Sequence, residues 1–170
     1  MVGPIQREVL SLFDHVFART NDRLVGISDE EYGWEPVSGC WTVGSDSFGD
    51  RLDGADHPVT TIGWRLCHVS DAVARHPMNG FLQAGYTPSD REFPRSAEDG
   101  IDYFRRSYEE WRSVLEAVEE WLWVQPLGPA AGLFADSTML TVALHNADEF
   151  VHHTSEIALL RDLYLRELDS

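Results

Sequence analysis

The sequence predicts an all-α protein: one domain over residues 1–170, a four-helix bundle with long loops between helices 1 and 2 and between helices 2 and 3. Four segments repeat apolar residues at the three- and four-residue spacing of a helix that buries one face, and no segment alternates convincingly as a strand does. The chain is also 43% hydrophobic and 25% charged. With 170 residues, that composition is typical of one globular domain that folds without a disulfide or metal.

The first predicted helix runs over about residues 5–26, where Leu10, Phe13 and Phe17 lie on one face and Gly26 suits the C-terminal end. A capping-box pattern at residues 28–32 predicts one short helical turn in the following connection. The second long helix is predicted over about residues 60–75, because the His-Pro pair that follows disfavours a helical backbone.

The third predicted helix begins after Ser96, whose hydroxyl is suited to capping a helix N-terminus. Its apolar residues keep helical spacing for three heptads, as far as Leu122. The segment QPLGPAAG then interrupts the pattern, and a fourth helix is predicted over about residues 139–166.

The net charge excludes several classes of partner. Thirteen basic residues against 29 acidic ones leave a formal charge of −16, which argues against binding nucleic acid or an anionic membrane surface. No segment approaches the roughly 18 apolar residues of a membrane span, and no basic region followed by an apolar one marks a signal peptide. Two cysteines do not form a disulfide framework. We therefore expect a cytoplasmic protein.

The fourth helix carries the first functional signal. Continuing its apolar spacing from Val142 places His145, Glu149, His152 and Glu156 in the middle of a seam whose ends are apolar. Burying unpaired charge there is costly, and a bound cation would offset that cost. Helix bundles commonly hold carboxylate and histidine metal sites in their interiors.

The spacing of residues on the fourth helix is compatible with two pairs of metal ligands. Glu149 and His153 lie four residues apart and about 6 Å apart on one helix face, and His145 with Glu149 is the alternative pair. His68, in the middle of the second helix, is the candidate third ligand. Such ligands would accept Zn, Ni, Fe or Mn. The competing interpretation is an internal hydrogen-bond network, or a cluster that faces solvent.

Three segments together resemble the DinB-like family of small four-helix proteins. They are LFDHVFARTNDRLVGISDEEYGWEPVSGCWTV, TIGWRLCHV and LHNADEFVHHTSEIALLRDLYLRE, and the last is the most telling. The resemblance covers nearly the whole chain. It implies a bundle with a non-sequential helix order that is often dimeric, so that a homodimer is expected.

The resemblance also implies a metal site made of one histidine from the second helix and a His-x-x-x-His pair from the fourth. His68 matches the first ligand and His153 the last, whereas Glu149 falls where the family has histidine. A carboxylate is a competent ligand, and two histidines with one carboxylate form a known open metal triad. The same substitution also occurs where a site has been lost.

Some similar proteins are transferases or isomerases that use mycothiol or bacillithiol, and a metal would hold such a thiol as thiolate. The resemblance therefore implies a metal-dependent thiol transferase or a small-molecule hydrolase. Arg65 is the candidate residue for an anionic thiol, and Trp41 and Trp64 are candidates for lining a pocket beside the metal. The alternative function is a non-catalytic, metal-free bundle that serves as a dimerisation or ligand-binding module.

Overall fold

The computed structural model describes residues 3–43, 59–74 and 93–168. Within these ranges the regular structure is helical, and extended backbone pairs only at two isolated bridges, Trp41 with Thr60 and Pro126 with Thr138. The predicted all-α class is confirmed. In the same ranges, no helix has both the length and the apolarity needed to cross a membrane.

The helices are numbered here in chain order. Within the described residues they are α1 Pro4–Arg23, α2 Asp29–Gly33, α3 Ile62–Ala74, α4 Ala97–Ala117 and α5 Met139–Leu168, with short 3-10 helices at Glu120–Trp123 and Pro129–Phe134. The four long helices occupy the predicted positions, and α2 is the predicted short turn. The described residues exclude the His76–Pro77 pair and most of the predicted loop that follows it and ends at residue 94. They also exclude residues 44–58 of the first loop.

Side-chain caps explain where three of these helices begin. The hydroxyl of Ser28 accepts a hydrogen bond from the Glu31 N–H at 3.1 Å, and that of Ser96 accepts one from the Asp99 N–H at 3.2 Å. Thr61 caps α3 in the same way, because its hydroxyl accepts the Trp64 N–H at 3.1 Å. Each cap satisfies an N–H that has no partner inside its helix.

Helix α4 ends earlier than its apolar spacing predicts. At Val118 the backbone becomes extended, with φ −66° and ψ 121°, so the helix stops at Ala117. The buried amide of Gln6 donates hydrogen bonds to the carbonyls of Leu115 and Glu116, at 2.8 and 2.9 Å. It thereby satisfies carbonyl groups in the last turn that have no partner within the helix. The apolar pattern continues because the next turn is a 3-10 helix that buries Trp123 completely.

The four long helices pack in a non-sequential order. Helix α3 packs against α4 and α5, and α1 packs against the same two helices. The order around the bundle is therefore α1, α4, α3, α5, with α1 diagonal to α3. This arrangement agrees with the helix order that the family resemblance implies, and it makes α3 and α5 direct neighbours.

Aromatic rings fill the centre of the bundle. The ring centroid of Phe13, from α1, lies 5.9 Å from that of Trp111 and 5.6 Å from that of Phe150. Phe104 of α4 lies 5.9 Å from Phe150 of α5, so these two helices, the other diagonal pair of the bundle, also meet through aromatic rings. These rings are almost completely buried, and burial of such large apolar surfaces dominates the stability of a core.

Candidate metal centre

The buried face of α5 differs from the predicted seam. The residues that face the core include Val142, Asn146, Phe150, His153 and Ile157. The prediction is wrong for four exposed positions, which are His145, His152, Leu159 and Leu163. Glu149 and Glu156 are half-buried and lie along the edge of the buried face. After Val142 the next buried position on this face is Asn146, four residues on, and not His145, three residues on. The two positions differ by about 100° around the helix axis.

Three of the predicted ligands lie together. The ligand atoms of His68, on α3, and of Glu149 and His153, on α5, all lie within 4.8 Å of one another. The Nε2 atom of His153 is 3.0 Å from Oε2 of Glu149. The His68 and His153 rings meet edge to face, with centroids 4.6 Å apart. His145, the alternative ligand, is exposed and belongs to none of the candidate groups among the described residues.

The other nitrogen of His153 faces a second carboxylate. Its Nδ1 atom lies 2.8 Å from Oε2 of Glu156, and Oε1 of Glu156 lies 3.1 Å from Nε2 of His152. His152, His153 and Glu156 thus form a second group with metal-ligand spacing. Glu156 was predicted only as a polar position of the seam, with no role as a ligand or partner. The three-residue spacing from His153, which places both side chains on one helix face, is the signal that identifies it.

Arg65 lies against this second group. Its Nε atom is 2.9 Å from Oε2 of Glu156, and one terminal nitrogen is 3.3 Å from Nδ1 of His153. Its side chain is 15% exposed, and its guanidinium carbon lies 5.1 Å from the centroid of the Trp64 ring. The structure therefore places Arg65 in a half-buried ion pair with Glu156. Its predicted contact with an anionic thiol stays a prediction.

An aromatic wall supports His68. Its ring is stacked on that of Trp64, with centroids 4.9 Å apart and an interplanar angle of 11°. Trp41 packs behind Trp64 at 5.1 Å, and both indoles are buried. Burial, together with the positive charges of His153 and Arg65, lowers the pKa of His68 to about 4. The imidazole is therefore neutral at pH 7, which is the form that ligates metals.

The charges at Glu156 and Arg65 depend on each other. Burial favours the neutral carboxylic acid, but the hydrogen bond from His153 and the positive charge of Arg65 hold the pKa of Glu156 below its usual range. Burial lowers the pKa of Arg65, and the carboxylates of Glu156 and Glu149 oppose that effect. The pair is thus a carboxylate and a guanidinium at neutral pH.

The first group fits a divalent cation. Two imidazole nitrogens and one carboxylate oxygen are donors that Zn and its first-row neighbours accept, at about 2.0–2.2 Å. The side chain of Glu149 is 38% exposed and that of His153 9%, so the group opens to solvent on the Glu149 side. Three protein ligands with access to solvent leave coordination positions for a substrate or water.

The cysteines lie outside this constellation. Cys67 is fully buried, and its sulfur lies 3.6 Å from the hydroxyl of Tyr32. Burial raises the pKa of the Cys67 thiol to about 12, so it is an unreactive thiol at neutral pH. Cys40 is buried as well.

Comparison with known proteins identifies one family. The model of the DinB superfamily matches residues 12–157. The matched range extends from α1 into α5 and contains His68, Glu149 and His153. No curated protein and no solved structure matches the chain significantly.

Proposed function

The chain belongs to the DinB superfamily, and from this premise we propose that His68, Glu149 and His153 bind one divalent cation, Zn, Ni, Fe or Mn. We propose further that the centre activates a thiol or a water for reaction with a small molecule. The protein is then a metal-dependent thiol transferase or, if water is the nucleophile, a hydrolase. The thiol is a low-molecular-weight compound of the mycothiol or bacillithiol type.

The convergence of two helices supports this proposal. His68 reaches the centre from α3, whereas Glu149 and His153 come from α5, yet their ligand atoms lie within 4.8 Å of one another. One carboxylate beside two imidazoles also offsets more of the charge of a divalent ion than three imidazoles would. The solvent-facing side chain of Glu149 marks the direction from which a substrate enters.

Each residue has a separate task in the proposed chemistry. A divalent cation at this position would act as a Lewis acid and lower the pKa of a coordinated thiol or water. His68 supplies a neutral nitrogen whose ring is held by the stacked Trp64. Glu149 contributes negative charge on the open side of the centre, and His153 supplies the second nitrogen from the buried side.

Metal content tests the proposal directly. Protein purified without an affinity tag or added metal should contain about one equivalent of a divalent metal per chain, since the three ligands define one site. His68→Ala and His153→Ala should each lose that metal. His145→Ala, which removes an exposed histidine from the same helix, is the matched control and should keep it. Unchanged metal content in the first two variants contradicts the proposed ligands.

A metal-free function is the second candidate, and one observation favours it. His153 has a carboxylate against each ring nitrogen, and Arg65 pairs with Glu156, so the network offsets much of its own charge. The alternative is a bundle that serves as a dimerisation or ligand-binding module. It is supported if chelated protein takes up none of the four metals when each is added back. Metal uptake excludes it.

The reaction class is tested on metal-loaded protein. Consumption of a low-molecular-weight thiol is measured against a panel of small electrophiles, and hydrolysis of small esters and amides is measured in parallel. The wild type should accelerate one of the two reactions, and His153→Ala should not. Equal rates for the two proteins contradict a catalytic role for the centre.

A further inference from the structure

We propose that Glu156, anchored by Arg65, is a positioning residue for the metal centre. Its carboxylate accepts a hydrogen bond from Nδ1–H of His153 and so leaves Nε2 of the same ring to bind the metal. The inference rests on the proposed function, because it concerns how one proposed ligand is oriented.

The distance between His153 and Glu156 determines the tautomer. Nδ1 lies 2.8 Å from Oε2 of Glu156, and a carboxylate can only accept a hydrogen bond. An unprotonated Nδ1 would place two lone pairs against each other at that distance. The Nδ1 atom therefore carries a hydrogen. Nε2 lies 3.0 Å from Oε2 of Glu149, and a metal ion bound by these two atoms would take the place of the hydrogen between them. Metal-ligating histidines commonly donate their other N–H to a carboxylate in this way.

Arg65 holds the carboxylate in place. Its Nε lies 2.9 Å from the same Oε2 atom that accepts the His153 hydrogen bond. Its contact with Nδ1 of His153 is longer, at 3.3 Å, and is not a hydrogen bond once Nδ1 carries a hydrogen. Packing against Trp64 and 15% exposure restrict where the guanidinium can go. Glu156 therefore has a fixed cationic partner.

The position of Arg65 also explains why the second His/Glu group is not a second metal site. A metal ion bound by His152, His153 and Glu156 would lie close to the guanidinium, and the two positive charges would repel each other. Arg65 is itself the cation of that group. This leaves one ion between α3 and α5, with Glu156 beside His153 as its support.

His152 provides a matched control. It contacts Glu156 as well, but through the other oxygen, Oε1, and its side chain is 60% exposed. Removal of His152 therefore leaves in place the hydrogen bond of Oε2 with His153 and its ion pair with Arg65. The His152 variant therefore shows the effect of removing a neighbour of Glu156 while the hydrogen bond to His153 is kept.

The experiment measures Zn affinity and the visible absorption of the Co(II)-substituted protein in the wild type and three variants. Glu156→Ala should bind Zn about 10–100-fold more weakly and shift the Co(II) bands, because the His153 ring is no longer held. Glu156→Gln should lose less Zn affinity than Glu156→Ala, since its amide oxygen still accepts the Nδ1–H of His153. His152→Ala should bind as the wild type does.

Wild-type affinity and an unchanged Co(II) spectrum in Glu156→Ala overturn the positioning role and leave the metal centre intact. A wild type that binds no metal overturns the proposed function and this inference together. Thermal unfolding of the metal-free proteins shows whether each variant is folded. If Glu156→Ala does not fold, Arg65→Ala takes its place, and wild-type Zn affinity in that variant overturns the role of the Arg65–Glu156 pair.

Discussion

Tyr32 shows how a single residue joins three helices. It lies on the short helix α2, is 2% exposed, and its hydroxyl donates a hydrogen bond to the carbonyl of Pro94 at 3.0 Å. Its ring packs directly on the backbones of Gly63, in α3, and Gly100, in α4. Burial raises the pKa of the Tyr32 hydroxyl, so the group remains a donor at neutral pH. The two glycines are there because a β-carbon would occupy the position of the ring.

Gly63→Ala should destabilise the protein by about 1–3 kcal/mol, the usual cost of overpacking a core. The new β-carbon would lie 2.5 Å from Cε1 of Tyr32, and the buried ring cannot move away without losing its packing. Urea unfolding measures the change. Gly33→Ala is the control, because nothing lies within 4 Å of a β-carbon at that position. Equal midpoints for Gly63→Ala and the wild type contradict this account of Tyr32.

At the scale of the element, one ion pair ties α1 to α4. The guanidinium of Arg112 donates to both carboxylate oxygens of Asp14, from Nε at 2.8 Å and from a terminal nitrogen at 3.3 Å, and the hydroxyl of Tyr108 donates to the same carboxylate. Burial opposes ionisation, but the hydrogen bonds from Arg112 and Tyr108 lower the pKa of Asp14. The bidentate geometry makes this pair stronger than most pairs at a surface.

The lowered pKa predicts a pH-dependent contribution to stability. The native state holds the Asp14 proton less tightly than the unfolded chain, so its contribution is complete above the unfolded pKa of about 3.9 and is lost as the pH falls through the lower native value. Asp14→Asn should therefore cost about 1 kcal/mol at pH 7, and this difference from the wild type should shrink below pH 4.

Urea unfolding at pH 7 and at pH 3 measures this difference. Glu8→Gln is the matched control, since Glu8 lies on the same helix and pairs with Arg7 at 3.8 Å, with both side chains largely exposed. It should change stability little at either pH. A cost for Asp14→Asn that stays constant between the two pH values contradicts the role of the ionised carboxylate.

The helices show which parts of the fold the sequence could predict. Local chemistry places the starts of α2 and α4, because the capping hydroxyls of Ser28 and Ser96 lie next to the N–H groups they satisfy. The end of α4 was not predicted, since the backbone change at Val118 leaves the apolar spacing intact and its support, Gln6, is distant in sequence.

The face of α5 was also mispredicted, for a different reason. The helix carries apolar residues on its exposed side too, including Leu144, Val151 and Leu159, so that spacing alone supports two faces. Packing against α1 and α3 selects between them. Asn146, a polar residue that is 3% exposed, lies on the selected face and carries no apolar signal of its own.

The candidate centre was predicted better than the helix face that carries it. The four-residue spacing of Glu149 and His153 is local, and His68 was a candidate from its place in the middle of the second helix, a position that the family resemblance also matches. Glu156 and Arg65 were missed as partners because their contact joins α5 to α3, and sequence spacing carries no information about that distance. Residues that hold a ligand in place depend on tertiary packing, whereas ligands on one helix follow its period.

At the scale of the whole molecule, the helix order brings the candidate ligands together. Only because α3 and α5 are neighbours do the two halves of the ligand set meet. The chain also carries a formal charge of −16, which attracts cations towards its surface and raises their local concentration. Fold and charge thus favour the same class of ligand.

A cation held between two helices should stabilise the entire bundle, because the unfolded chain does not bring His68 near Glu149 and His153. At a free metal concentration 100 times the dissociation constant, binding adds about 2.7 kcal/mol to the free energy of unfolding. For a chain of this size that raises the melting temperature by about 5–10 °C. Calorimetry of chelated protein, before and after one metal is returned, measures the shift.

Two variants test whether the rise in melting temperature comes from metal bound at the candidate centre. His153→Ala should show no rise with metal, because the centre then loses its buried nitrogen ligand, while His145→Ala should show the full rise. A rise of equal size in His153→Ala would place the bound metal elsewhere on the acidic surface. No rise in the wild type would favour the metal-free alternative, in which His153, Glu149 and Glu156 form a network along α5 that the ion pair of Glu156 with Arg65 joins to α3.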